Sequence, residues 1–154
     1  MKYIVTAFVL GIIFGVLALS ILSSQVEKPF RLFSENISKP GDDIKEEDII
    51  ITDDEIILKI KDCSISRYAD TGSMLPVLDE NSNGIRIPVY SEKDINLGDI
   101  VTFKTKEGLI VHRVIEIGED SEGWYIMTKG DNNSISDGKI RFNQIKYKTI
   151  GVLW

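Results

Sequence analysis

The feature that most constrains this chain is an uncharged stretch near its start. From Ile4 to Leu22, none of 19 residues carries a charge, and thirteen are Ile, Leu, Val or Phe. At about 1.5 Å of rise per residue, such a run makes a helix of roughly 29 Å, close to the thickness of a bilayer's hydrocarbon core. Inserting it gains about 4 to 8 kcal/mol from the large apolar side chains, more than Thr6, Ser20, Gly11 and Gly15 give back. A transmembrane anchor over 1–23 is therefore predicted. A cleaved leader is the competing reading, because Ala18-Leu19-Ser20 supplies small residues three and one before a possible cut. The apolar run exceeds the roughly 7 to 15 residues of such leaders and continues through Ile21-Leu22, which favours retention. Lys2 on one side, with Lys28 and Arg31 on the other, leaves the orientation open.

Beyond the anchor, residues 24–48 show no sustained period and contain the breaker Lys39-Pro40-Gly41, so they read as a juxtamembrane linker. Acidic residues crowd from Asp42 to Glu55 as a solvated, charged segment. Across the chain, 24 acidic side chains oppose 18 basic ones, and a net charge of −6 repels a phosphate backbone. Nucleic acid is not expected as a partner. Cys63 and His112 are each the only residue of their kind, which excludes an intramolecular disulfide and a His- or Cys-built metal site. No metal and no cofactor are expected.

From residue 49 to 154 the periodicity turns to strand, and the length suits one domain with one core. Ile49 to Thr52 and Glu55 to Lys61 flank Asp53-Asp54 as a hairpin whose second arm continues toward Tyr68. Further runs are Ile85 to Tyr90, Asp99 to Lys104, Leu109 to Ile117, Gly123 to Lys129 and Ile145 to Leu153. Asn83-Gly84, Gly98-Asp99, Glu107-Gly108, Glu122-Gly123 and Asp137-Gly138 read as turns between them. Pro88 lacks a ladder donor, which puts its run at an edge or a bulge. The expected fold class is mainly β, built from short antiparallel strands.

Ser73 lies in Thr71-Gly72-Ser73-Met74-Leu75-Pro76, where Gly72 and Pro76 force a turn. A serine hydroxyl attacks only when a base takes its proton, and the one imidazole is His112. Alternation puts His112 on the strand face opposite Val111 and Arg113, in a row with Ile110 and Val114. Such a base needs an orienting carboxylate, and either Asp131 or Asp137, both in the loop after Lys129, could fix its tautomer. Each residue also has a plain structural reading: turn serine, packed histidine, turn-forming aspartates.

The ordered set of segments resembles the type I signal peptidases, of the archaeal and endoplasmic-reticulum kind. Ser73-Met74-Leu75-Pro76 matches their nucleophile box, Gly98-Asp99-Ile100-Val101 their following strand, His112-Arg113-Val114 their histidine box, and Lys129 to Asn133 their Lys-Gly-Asp-Asn-Asn box. The resemblance runs from about Arg67 to Val152 and implies a signal-peptidase or LexA-like antiparallel β fold. It implies Ser73 as nucleophile and His112 as general base. It also implies Asp137 as first choice of orienter, with Asp131 as the second acidic candidate. An oxyanion hole is implied at the Ser73 backbone N–H and the Thr71 hydroxyl, where the family more often has serine. The stretch Asp79 to Gly84 is more acidic and longer than is usual in the family, which leaves the shape of the substrate groove open.

The function so implied is removal of signal peptides from secretory preproteins by a single-pass, membrane-anchored serine endopeptidase facing the extracytoplasmic side. Its partners would be preprotein signal peptides, membrane lipid and accessory membrane subunits of unknown kind. Val77, Leu78, Ile85 and Ile87 are candidate pocket walls. The alternative from another class is a catalytically silent, membrane-anchored β binding module. A self-cleaving LexA-like regulator is disfavoured because it uses a lysine base and a DNA-binding domain. Lys104 or Lys106 would be the base if His112 were not.

Overall fold

The computed structural model describes residues 39–154. The anchor predicted over 1–23, and the predicted linker as far as residue 38, lie outside the described residues. The described residues fall within one compact unit. Among them no helix is long and apolar enough to cross a membrane.

The architecture is mainly antiparallel β. A small two-stranded sheet pairs β1 (Ile49–Ile51) with β2 (Ile56–Leu58). A seven-stranded sheet takes up β3 (Ser64–Arg67), β4 (Asn83–Pro88), β5 (Ile100–Lys104), β6 (Leu109–Asp120), β7 (Gly123–Lys129), β8 (Lys139–Arg141) and β9 (Ile145–Leu153). Its order is β3-β4-β9-β5-β6-β7-β8, with every pairing antiparallel. Single 3-10 turns at Glu46–Asp48, Glu92–Asp94 and Phe142–Gln144 are the helical pieces described.

β5 sits in mid-sheet and is buried on both faces, which its run Ile-Val-Thr-Phe anticipates. Val101 and Phe103, with no exposed surface, join Ile95, Val114, Ile126, Ile140 and Ile145 in the larger core cluster. Ile100 points the other way, into a smaller cluster with Met74 and Leu78. Full burial of side chains like Phe103 contributes roughly 1.5 to 3 kcal/mol each. The smaller cluster matters for the site, because Met74 anchors the turn that carries Ser73.

Several local expectations are revised by long-range contacts. The hairpin's second arm stops at Leu58, and the chain turns at Asp62, whose φ of 56° is one an aspartate tolerates, before β3 begins. Asn83-Gly84 is strand rather than turn: both residues pair with β3 and with β9. Gly84 is glycine for another reason, since a Cβ there would collide with the Tyr68 hydroxyl. Pro88 lies in an interior strand, yet past the last β3 partner, which is the Ser64↔Arg86 pair, so no donor is missed on that side. The bulge lies instead in the neighbouring β9: Ile85 pairs with Gly151 and Arg86 with Thr149, which leaves Ile150 as the extra residue. β8, only three residues long, was not anticipated; its pairing to β7 supplies the order that its sequence lacks.

The described end of the linker is tied to the sheet. Gly41 N–H donates to Asp99 Oδ1 at 2.7 Å, and Asp43 accepts from Lys148 Nζ at 2.6 Å. Lys148 is 2% exposed and also lies 3.5 Å from Asp99.

Candidate active site

Three segments far apart in the chain build the site: the turn after β3, the first half of β6, and the loop between β7 and β8. Ser73 opens the turn, closed by N–H donation from Val77 and Leu78 to Met74 O, both at 2.9 Å. Gly72 enters it with φ of 66°, a conformation that costs glycine least.

His112 lies opposite Val101 on β5, with Ile110 and Val114 of the same strand packed in or against the larger cluster, and Phe103 tilted against its ring. Its side chain is 8% exposed. Nε2 lies 3.1 Å from Ser73 Oγ, and Nδ1 lies 2.6 Å from Asp137 Oδ2. The carboxylate accepts only, so Nδ1 carries the proton, and Nε2 is left free to accept from the serine hydroxyl.

Asp137 is held by β7. Its N–H donates to Thr128 O at 2.8 Å, and the Thr128 hydroxyl donates to the same Oδ2 at 2.7 Å. Thr128 pairs with Val114, two residues from His112, so the β6–β7 register carries Asp137 to the imidazole. Asp131 goes elsewhere. Its oxygens accept from Arg113 Nε and Nη2, both at 2.7 Å, and its side chain is 5% exposed. Of the two carboxylates, only Asp137 contacts His112.

The β7–β8 loop also grips the serine turn. Asn132 donates from its backbone N–H to Ser73 O at 2.9 Å and from Nδ2 to Gly72 O at 3.1 Å. Gly130 makes this approach possible, because a Cβ there would stand 2.6 Å from Ser73 O. Thr71 Oγ1 lies 3.2 Å from Ser73 Oγ and accepts from the Ser73 N–H at 3.4 Å. Of the candidates named from the sequence, Ser73, His112, Asp137 and Thr71 lie together and Asp131 lies apart from His112, whereas the contacts of Thr128, Asn132 and Gly130 are not foreseen from it. Asn132 and Gly130 stood in a quoted segment, yet their contacts span the fold and left no local signal.

A cleft of about 490 Å³ opens along Ser73 and His112, bordered by Tyr68, Leu78 and the Leu109–Val111 stretch. Of the pocket-wall candidates, Leu78 borders it, whereas Val77, Ile85 and Ile87 do not. Lys104 and Lys106 are exposed, and neither bonds to Ser73 among the described contacts. No group of three potential metal ligands is found among the described residues.

Comparison with known proteins adds one relative. The signal peptidase complex catalytic subunit sec11 of Dictyostelium discoideum is 39% identical over an alignment of 80 residues, covering 44% of this chain and 44% of that protein. The likeness supports the type I signal peptidase family, of the endoplasmic-reticulum and archaeal kind. The chain thus matches less than half the length of this signal peptidase subunit. No family model matches the chain, and no solved structure matches it.

Proposed function

We propose that this chain is a membrane-anchored serine endopeptidase of signal-peptidase or LexA-like fold that removes signal peptides from secretory preproteins. The observation that carries the reading is the continuous line of contacts from Asp137 through His112 to Ser73, at 2.6 and 3.1 Å. The likeness to a signal peptidase complex catalytic subunit supports it independently. In this reading, His112 Nε2 takes the hydroxyl proton as Ser73 Oγ attacks the scissile carbonyl carbon. The Ser73 N–H and the Thr71 hydroxyl hold the oxyanion. The intermediate collapses, His112 passes the proton to the leaving amine, and the acyl group stays on Ser73. Water then attacks the ester, with His112 taking its proton and returning one to Ser73 Oγ. Asp137 keeps the imidazole in the required tautomer and balances its transient charge.

The apolar run Ile4 to Leu22 would hold the domain on the extracytoplasmic face as a single-pass protein. Sharing a bilayer with tethered preproteins raises their effective concentration. Accessory membrane subunits belong to this proposal, because the relative's name places it in a complex. The deciding experiment incubates the full chain in detergent with a preprotein carrying its signal sequence, beside Ser73→Ala, His112→Ala and Asp137→Asn. Cleavage by the unaltered chain alone is expected. Processing by Ser73→Ala would remove the nucleophile, and absence of cleavage by every form would leave a catalytically silent binding module.

A further inference from the structure

Arg86 lies in β4 with its guanidinium over the Tyr147 ring of β9, 4.0 Å from the centroid. Nε donates to Ser64 Oγ at 3.1 Å and Nη1 to Ser66 Oγ at 3.4 Å, both on β3. Three adjacent strands thus fix one planar cation. Nη2 has no acceptor among the described residues, and no side-chain nitrogen there is both buried and unpartnered, so Nη2 keeps some exposed surface. Arg86 borders the same cleft as Ser73 and His112.

The charge pairing around it differs from the rest of the molecule. Among the four described arginines, Arg113 pairs with Asp131, and Arg141 with Asp120 and Glu122. Arg67 and Arg86, both on the cleft, have no carboxylate partner among the described residues. A chain with 24 acidic side chains offers many counter-charges, yet none is used here. Tying β3 to β4 accounts for Nε and Nη1. It accounts neither for the unbonded Nη2 nor for the missing counter-charge, whereas a held guanidinium with free donors matches a carboxylate.

We propose that Arg86 is a specificity residue that receives an Asp or Glu side chain from an extended peptide lying in the cleft. The proposal rests on the reading of the cleft as a peptide-binding site. β3 is the edge strand, and Ser66 to Ala69 border the cleft. A peptide pairing along that edge presents every second side chain to the face where Ser64, Ser66 and Arg86 meet.

The test walks a single Glu through successive positions of a fluorescent peptide spanning the cleavage point, each compared with its Gln counterpart. Cleavage efficiency is read with the full chain, and binding by anisotropy with Ser73→Ala. At one position Glu should exceed Gln by roughly three- to tenfold in both readouts. The gap should close in Arg86→Gln, persist in Arg86→Lys, and reverse in Arg86→Glu toward a peptide with Lys at that position. Reversal is something a purely structural arginine cannot produce, and Arg86→Lys guards against a variant that merely unfolds. Equal use of Glu and Gln everywhere overturns the proposal, and continued cleavage of those peptides keeps the protease reading. A charge preference in binding without any cleavage does the opposite. Peptides that are neither bound nor cut overturn both.

Discussion

Arg113, the residue after His112, and Asp131 face each other through two parallel hydrogen bonds of 2.7 Å, and Asp131 makes no hydrogen bond to the imidazole. Arg113 also donates from Nη1 to Gly98 O at 2.8 Å, so this pair braces the loop before β5 against the β7–β8 loop. The neighbouring carboxylate, Asp137, serves the imidazole instead. Two aspartates six residues apart thus have separable duties.

That separation is testable. Asp131→Asn leaves a guanidinium 9% exposed without its counter-charge and should destabilise by about 3 to 5 kcal/mol. Its folded fraction should still cleave a preprotein. Asp137→Asn should lower the stability little and the turnover by about 10³ to 10⁴, because an amide cannot hold the imidazole in the same tautomer. Urea unfolding beside single-turnover cleavage checks both, and equal stability loss in the two variants would defeat the assignment.

Adding one methyl group at Gly130 should disconnect the loop from the serine turn. The new Cβ would stand 2.6 Å from a backbone carbonyl, which cannot move aside as a flexible side chain could. Gly130→Ala is expected to cost about 1 to 3 kcal/mol through overpacking and to lower cleavage as the Asn132 contacts to Gly72 and Ser73 are lost. Amide exchange at Asn132 reads the disconnection directly. Unchanged protection there would show that the loop tolerates the substitution.

Lys148 joins the described end of the linker to the sheet through Asp43, Asp99 and the Asp94 carbonyl. Lys148→Met leaves Asp99, which has no exposed surface, as a buried charge without its cation. A loss of about 3 to 5 kcal/mol is expected, with faster protease nicking between residues 39 and 48. Limited proteolysis that leaves this segment as resistant as before would argue against the tie.

Acid should act partly through Asp120. The Lys139 ammonium, and then the Glu122 backbone N–H and Arg141, hold its carboxyl down to about 2, against a partial opposing effect of burial. Because the folded value lies below the unfolded one, this stabilisation is complete above about pH 4 and is lost as pH falls toward 2. Asp120→Asn should flatten the fall in melting temperature across that window. Matching profiles for the two proteins would exclude the contribution.

Much of the sheet was legible locally. Alternation in Ile110 to Val114 puts His112 and Val111 on opposite faces, and the packing of Ile110 with the larger cluster and Val111 with the smaller one follows it. Composition gave no such guide at Asn83-Gly84, where a turn-forming pair lies inside a strand because two neighbours pair with it and Tyr68 needs the space. β8 was illegible for the same reason: three residues hold no period, and the order comes from β7.

By itself, the sequence determined the strand periods, the charge balance, the uncharged run from Ile4 to Leu22, and the short list of side chains able to carry out nucleophilic chemistry. Only the tertiary structure decided which of them meet. Ser73 and His112 are 39 positions apart and Asp137 is another 25 beyond, and their contacts depend on strand register and on a loop seated on a turn. Alternation fixes the face on which a side chain stands, but no local rule fixes which distant residue is brought opposite to it.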